Sequence, residues 1–186
     1  KMHIACINRG FLPSLGERFL TLLYESIDAD PNSALFIEWI DGEVVGFVAG
    51  GCGMRSIYNQ MFRRLPRLIL VLLPVLFSPK KLKRVLEIIW FSSKQKSVPD
   101  CPKAELYSIA VQNHARGNGV AARLYKELIH YFTEDGEQDF CIVVGDGLVS
   151  AHCFYKRMGA LPLGKIVVHG GQSSTLYRHD LIEPAT

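Results

Sequence analysis

The sequence is poor in the features that would set it apart from ordinary globular enzymes. Its five cysteines, Cys6, Cys52, Cys101, Cys141 and Cys153, are odd in number, scattered and never spaced as CxxC, so neither a disulfide framework nor a zinc site is favoured. They read as reduced, mostly buried thiols in a cytoplasmic protein. No basic-then-apolar leader opens "KMHIACINRGFLPSL", so no export is expected. The apolar run from Leu68 to Phe77 has ten residues and contains Pro74, too short and too broken to span a bilayer. There is no internal repeat and no low-complexity tract. His114 and His152 belong to no ligand cluster, so structural or solvent roles are expected for them and no metal is implied.

What is present fits one domain. A chain of 186 residues, 48% hydrophobic, can bury a single core of ordinary size, so residues 1–186 are expected to form one unit. The charge is uneven. Met54 to Val98 holds ten Lys/Arg against Glu87 alone, a net +9, while the remainder carries −6. Residues 54–99 are therefore expected to be a helical insertion, basic and apolar at once, within the domain.

Periodicity gives an element order. "HIACIN" suits a first strand, and "SLGERFLTLLYESI" a helix with Ser14 as cap and Glu17 as its capping-box partner. "ALFIEWIDGEVVGFVAGG" reads as a hairpin turning at Asp41-Gly42. "AELYSIAV" is a strand, and Leu124, Leu128, Ile129 and Phe132 mark the buried face of the helix that follows. "FCIVVG" has the continuous apolar character of a central strand. "SAHCFYKRMGA" is a short helix with Ser150 as cap and Gly159 as stop, and "LGKIVVH" and "STLYRHDL" are closing strands. The order β-α-β-β-(insert)-β-α-β-α-β-β predicts a mixed-sheet α/β domain, α+β by some schemes, of about seven strands.

The stretch "QNHARGNGVAARLYKEL" has two readings as a phosphate loop. As GxGxxA (Gly117, Gly119, Ala122) it matches a dinucleotide fingerprint, with Asp146 as the ribose-binding acid. Against this, "QNHAR" intervenes after the strand, and the repeated βαβ units of a dinucleotide crevice are missing. As RxxGxA (Arg116, Gly119, Ala121) it resembles the acetyl-CoA loop of the GNAT superfamily of N-acetyltransferases. "AELYSIAV" looks like that family's fourth strand and "FYKRMGA" like its late Y-x-x-x-G-F helix motif. The resemblance covers most of the chain, residues 54–99 excepted, and implies a GNAT-like mixed sheet flanked by helices.

The resemblance also implies a chemistry: transfer of acetyl from acetyl-CoA to a primary amine by direct attack, with no metal. Coenzyme A carries a pyrophosphate, and the unpaired N–H groups at a helix start form an anion cradle at the positive end of its dipole. Arg116, Gly117, Asn118, Gly119, Val120 and Ala121 are the expected cradle, and Ile109, Ala110 and Val111 the expected partners of the pantetheine arm, with backbone near Val111 as oxyanion donor. A lysine-like amine of pKa ~10.4 is neutral in about one molecule in 2,500 at pH 7, so a base must help. Glu105 matches a glutamate that serves as base in the histone-type branch; Asp146 and a water chain are alternatives. The place where other members keep a glutamate on the fifth strand is Val143. Tyr155 matches the family's tyrosine acid. Two departures are Leu148, where many relatives carry asparagine, and Ala160 in place of the motif's phenylalanine.

The expected acceptor is a small-molecule or peptide amine, an anionic one such as a nucleotide-linked amino sugar being suggested by the +9 segment. The same segment, over 62–96, could instead meet anionic lipid, giving peripheral membrane contact, or be a plain helical pair. A nucleic-acid surface is disfavoured by its apolar content. A homodimer is a further expectation. The rival from another class is a catalytically silent acyl-CoA-binding or membrane-associated module.

Overall fold

The computed structural model describes residues 1–7, 12–76, 102–168 and 172–181. Expectations that fall on residues 77–101 lie outside the described residues. The chain opens with a short helix, α1 (Met2–Cys6), a 3-10 turn (Leu12–Leu15) and α2 (Glu17–Asp28). The hairpin of β1 (Ser33–Ile40) and β2 (Glu43–Cys52) follows, then α3 (Met54–Arg63) and α4 (Leu65–Leu76). After β3 (Ala104–Val111) come α5 (Val120–Glu134), β4 (Asp139–Gly145), α6 (Val149–Arg157), β5 (Leu161–Val168) and β6 (Gln172–Asp180). Six strands form one sheet in the order β1-β2-β3-β4-β6-β5. β3 and β4 run parallel and every other neighbouring pair antiparallel, so the sheet is mixed, as the element order predicts.

The expected first strand is the main departure. Met2–Cys6, which takes in the start of "HIACIN", forms α1, so the described residues make six strands where about seven were expected. Ile4 to Ile7 are apolar without a break, so the stretch imposes no strand period. Helical geometry turns His3 into the interior, where it is buried and stacks on Phe47. The two expected caps also move. α2 starts one residue after Gly16, at φ 89°, and no side chain caps it; Ser14 lies in the 3-10 turn. α6 starts after Leu148, with Ser150 inside its first turn. The stop at Gly159 holds: at φ 92° it ends α6 with its own N–H on the Lys156 carbonyl, and the Ala160 N–H reaches the Tyr155 carbonyl.

The hairpin follows from its turn residues. Asp41 (φ 51°) and Gly42 (φ 79°) both adopt the left-handed region, the geometry a two-residue turn needs to match the strand twist.

Two cores flank the sheet. On one face α5 buries Leu124, Tyr125, Leu128 and Phe132 against Val48, Leu106, Phe140 and Ile142. It lies close because β2 carries glycine beneath it: a Cβ at Gly46 or Gly50 would come within 2.8 Å of Leu124 or Leu128. On the other face α2 buries Leu20, Leu22, Leu23 and Ile27 together with Ile57 and Met61 of α3 and Leu68 and Val71 of α4. Glu25 of α2 also accepts bonds from Arg64 and Arg67, the latter through Nη2 at 2.9 Å, so these two cations are engaged within the fold. Among the described residues no helix is long and apolar enough to cross a membrane.

Candidate active site

β3 builds the site by losing a partner halfway along. On one side it pairs with β2 throughout, Cys52 with Ala104 to Gly46 with Val111. On the other it pairs with β4 only through Ala104, Leu106 and the residue between, Glu105. Beyond that point β4 continues to Gly145 against β6. A bulge lies at the same point: Gly50 faces Leu106 and Ala49 faces Ser108, so Tyr107 is an extra residue. A bulge bends and twists its strand, and here it accompanies the parting from β4. Tyr107 to Val111 therefore present an unpaired backbone edge. A ligand with its own amides, such as a pantetheine arm, can complete such an edge as an added strand. Ile109, Ala110 and Val111 lie on it.

The loop after β3 is an anion cradle by geometry. Gln112 fixes its start, donating its side-chain amide to the Val44 carbonyl at 2.7 Å and to Glu43 Oε1 at 3.0 Å. A 3-10 turn (Asn113–Ala115) follows, and Arg116 bends back so that its Nε donates to the Val111 carbonyl at 3.2 Å. Gly117 (φ 85°) and Gly119 (φ 76°) then turn the chain into α5. Among the described residues none of the six amides from Gly117 to Ala122 donates to a backbone carbonyl. Six unpaired donors at the positive end of a helix dipole suit a pyrophosphate. A side chain missed by the sequence reading stabilises this arrangement. Arg123 clamps Glu38 of β1 through Nε (2.9 Å) and Nη2 (2.7 Å) and donates from Nη1 to the Asn118 carbonyl at 3.0 Å. Its position in the first turn of a helix gave no reason to single it out.

Glu105 lies half-buried on the last stretch of β3 that keeps both neighbours. Burial pushes its carboxyl up to about 6. A base is most effective with a pKa near the working pH, and a carboxyl at this value is still ionised near neutrality. Tyr155 of α6 is 4% exposed, its ring packed on Tyr125, Phe154 and Tyr177 at centroid distances of 5.9, 5.3 and 6.4 Å. Burial raises its phenol well above the usual value, so it carries its proton at neutral pH, as a proton donor must. Its hydroxyl has no hydrogen-bond partner among the described residues. α6 is braced by His152, whose Nδ1 lies 2.8 Å from the Tyr177 hydroxyl and whose Nε2 lies 3.2 Å from the Gly145 carbonyl.

The remaining candidates separate. Asp146 is held by Lys165 Nζ and Thr175 Oγ1, each at 2.9 Å. Hydrogen bonds from Lys165, then Ser173 and Thr175, pull its carboxyl down to about 2, which makes it a poor base. Val143 is exposed on β4, and Leu148 is exposed at the start of α6. His114 is exposed beside the loop. Cys52, Asp135 and Glu137 have ligand atoms within 4.8 Å of one another. There the Cys52 thiol is pushed up to about 12, by burial first and then by Glu137, and it donates to Glu137 Oε1 at 3.3 Å.

Residues 5–160 match the acetyltransferase (GNAT) family. The chain belongs to that family. The expectation of an acetyl-CoA-dependent N-acetyltransferase therefore stands at the level of the family. No protein of curated function matches the sequence. Solved structures share the fold at low identity. The protein smu.2055 of Streptococcus mutans UA159 superposes with a TM-score of 0.58 at 14% identity, covering 97% of this chain and 91% of that one. The ribosomal-protein-alanine N-acetyltransferase of Brucella melitensis gives 0.54 at 16%, over 87% and 76% of the two chains. A Bacillus anthracis Ames protein provisionally assigned as a streptothricin acetyltransferase, solved with acetyl coenzyme A, gives 0.55 at 13%, over 84% and 67%.

Proposed function

We propose that this acetyltransferase moves the acetyl group of acetyl-CoA directly onto a primary amine, with Glu105 as general base and Tyr155 as general acid. The observation that carries the reading is the meeting of two features on one strand. β3 offers an unpaired edge for the pantetheine arm, and it runs straight into six unpaired amides for the pyrophosphate. Arg116, Gly117, Asn118, Gly119, Val120 and Ala121 hold the phosphates, and Ile109, Ala110 and Val111 hold the arm. Glu105 takes a proton from the amine, directly or through water. The amine nitrogen bonds the thioester carbon, the C–S bond breaks, and Tyr155 protonates the departing thiolate. Residues 1–186 serve as one domain for this purpose, with 54–99 inserted between β2 and β3.

The test is release of free coenzyme A over a panel of amines that includes amino sugars, a nucleotide-linked amino sugar among them, and peptide N-termini. Turnover with at least one amine is expected, with the anionic amino sugars favoured by the +9 segment. Acetyl-CoA binding without any transfer would favour a silent module instead.

The exposed apolar residues Phe62 of α3 and Leu65, Ile69, Leu70 and Leu73 of α4 favour an additional reading, peripheral contact with anionic lipid. Flotation with phosphatidylserine vesicles in low and high salt tests it. Absence of binding under both conditions removes it, and a doubled mass in sedimentation would assign the face to a second copy.

A further inference from the structure

The face of β3 turned toward α1 and α2 carries a second polar group that the chemistry above does not use. His3 of α1 is 6% exposed, with its Nδ1 2.6 Å from the Tyr24 hydroxyl of α2 and its Nε2 buried without a partner. Packing fixes this pair. The His3 ring stacks on Phe47 of β2 at 6.3 Å, and Tyr24 meets the same ring edge-on at 5.2 Å. Phe47 pairs with Ala110 and Ala49 with Ser108, which puts Ser108 on this face of the sheet. Ser108 Oγ is buried beside the Tyr24 phenol, where its hydroxyl favours that group's ionised form. Ser108 is also the first residue past the bulge, where β3 has parted from β4.

We propose that Tyr24 Oη and Ser108 Oγ form the seat of the acceptor amine, and that His3 is a positioning residue that turns the Tyr24 hydroxyl so that its lone pairs face the amine. The proposal rests on the acetyltransferase reading and adds to it the groups that select the acceptor. A neutral amine that aims its lone pair at the thioester carbon keeps two N–H bonds. In a buried site each needs an acceptor, because an unmet polar group there costs about 1–3 kcal/mol. Burial pushes the Tyr24 phenol up to about 12, so at neutral pH it is protonated and donates to Nδ1 of neutral His3. A lone pair of Tyr24 then remains for one N–H of the amine, and Ser108 accepts the second. The substrate class is a primary amine, selected over its N-methyl counterpart, which has only one N–H to offer in the attacking form.

His3 makes the seat sensitive to acid. Burial, then the positive amino group at Lys1, lowers its pKa below 6.5. The other titratable group against it is Tyr24 from α2, and Phe47 from β2 is uncharged. Once protonated, His3 donates from Nδ1 and takes up a lone pair of Tyr24 that the amine needs.

Coenzyme A release is measured with lysine, glucosamine and a peptide N-terminus, each beside its N-methyl form, and acetyl-CoA affinity is measured separately by calorimetry. Tyr24→Phe and Ser108→Ala should each raise KM for the primary amine about ten- to a hundred-fold and reduce its advantage over the N-methyl form, with acetyl-CoA affinity unchanged. His3→Gln, which can accept from Tyr24 but does not titrate, should remove an inflection below pH 6.5, and His3→Phe should raise KM as Tyr24→Phe does. Unchanged KM and unchanged preference in both Tyr24→Phe and Ser108→Ala, with acetyl-CoA still bound, would overturn the seat alone. A wild-type chain that neither binds acetyl-CoA nor transfers acetyl would overturn the acetyltransferase reading and the seat together.

Discussion

The two sides of β3 are built from different materials. Toward α5 and the loop from Gln112 to Gly119, the structure is built from backbone: an open strand edge, two glycines at positive φ and a row of unpaired amides. Toward α1 and α2 it is built from side chains that converge from distant parts of the chain, His3, Tyr24, Glu105 and Ser108. A ligand common to a whole family can be held by backbone. An acceptor that differs from member to member needs side chains, which change without disturbing the fold.

The largest effects should separate the two faces by kinetics. Glu105→Gln and Tyr155→Phe should each lower kcat/KM on the order of 10²–10⁴ while acetyl-CoA still binds, which calorimetry with acetyl-CoA would confirm. Full turnover in both would return the proton transfers to other groups. Leu128→Ala, a fully buried contact between α5 and the sheet, should cost about 2–5 kcal/mol in denaturant unfolding. A much smaller loss would mean that α5 is not the rigid wall the donor side requires.

A third measurement uses the sign of a pKa shift. The Glu105 carboxyl is raised to about 6, above its unfolded value, so its protonated form favours the fold at low pH and that stability is lost as pH rises through 6. Glu105→Gln should therefore gain on the order of 2 kcal/mol over wild type above pH 7, and little at pH 4, even as it loses activity. An equal effect at both pH values would place the carboxyl in a better solvated setting. Gly119→Val should strain the left-handed turn by about 1–2 kcal/mol and raise KM for acetyl-CoA more than KM for the amine. Smallest of all, Arg67→Ala should leave the thermal midpoint near that of wild type, because its ion pair with Glu25 is exposed.

How much could be read in the sequence follows the same division. The turn at Asp41-Gly42, the strand "AELYSIAV", the glycines of the loop and the stop at Gly159 were legible because each depends on local backbone geometry. The first strand was not. "HIACIN" has no strand period to outweigh the burial of His3 against Phe47 and Tyr24, partners 44 and 21 positions away. Ser14 and Ser150 had the composition of caps, but the turns that start α2 and α6 left them two positions outside or inside the cap position. The low pKa of Asp146 depends on Lys165, Ser173 and Thr175, which only the folding of β5 and β6 brings to it.

The extra residue at Tyr107 also settles a matter of parity. In an uninterrupted strand, residues three apart point to opposite sides, so Glu105 and Ser108 would be separated by the thickness of the sheet. The bulge adds one to the count and returns them to the same side. Loss of the extra residue would leave the two at i and i+2 of a regular strand, still on one side, so the bulge keeps their facing only by adding a residue along with the bend. Deleting Tyr107 would thus keep Glu105 and Ser108 facing one way and remove instead the bend that accompanies the parting of β3 from β4.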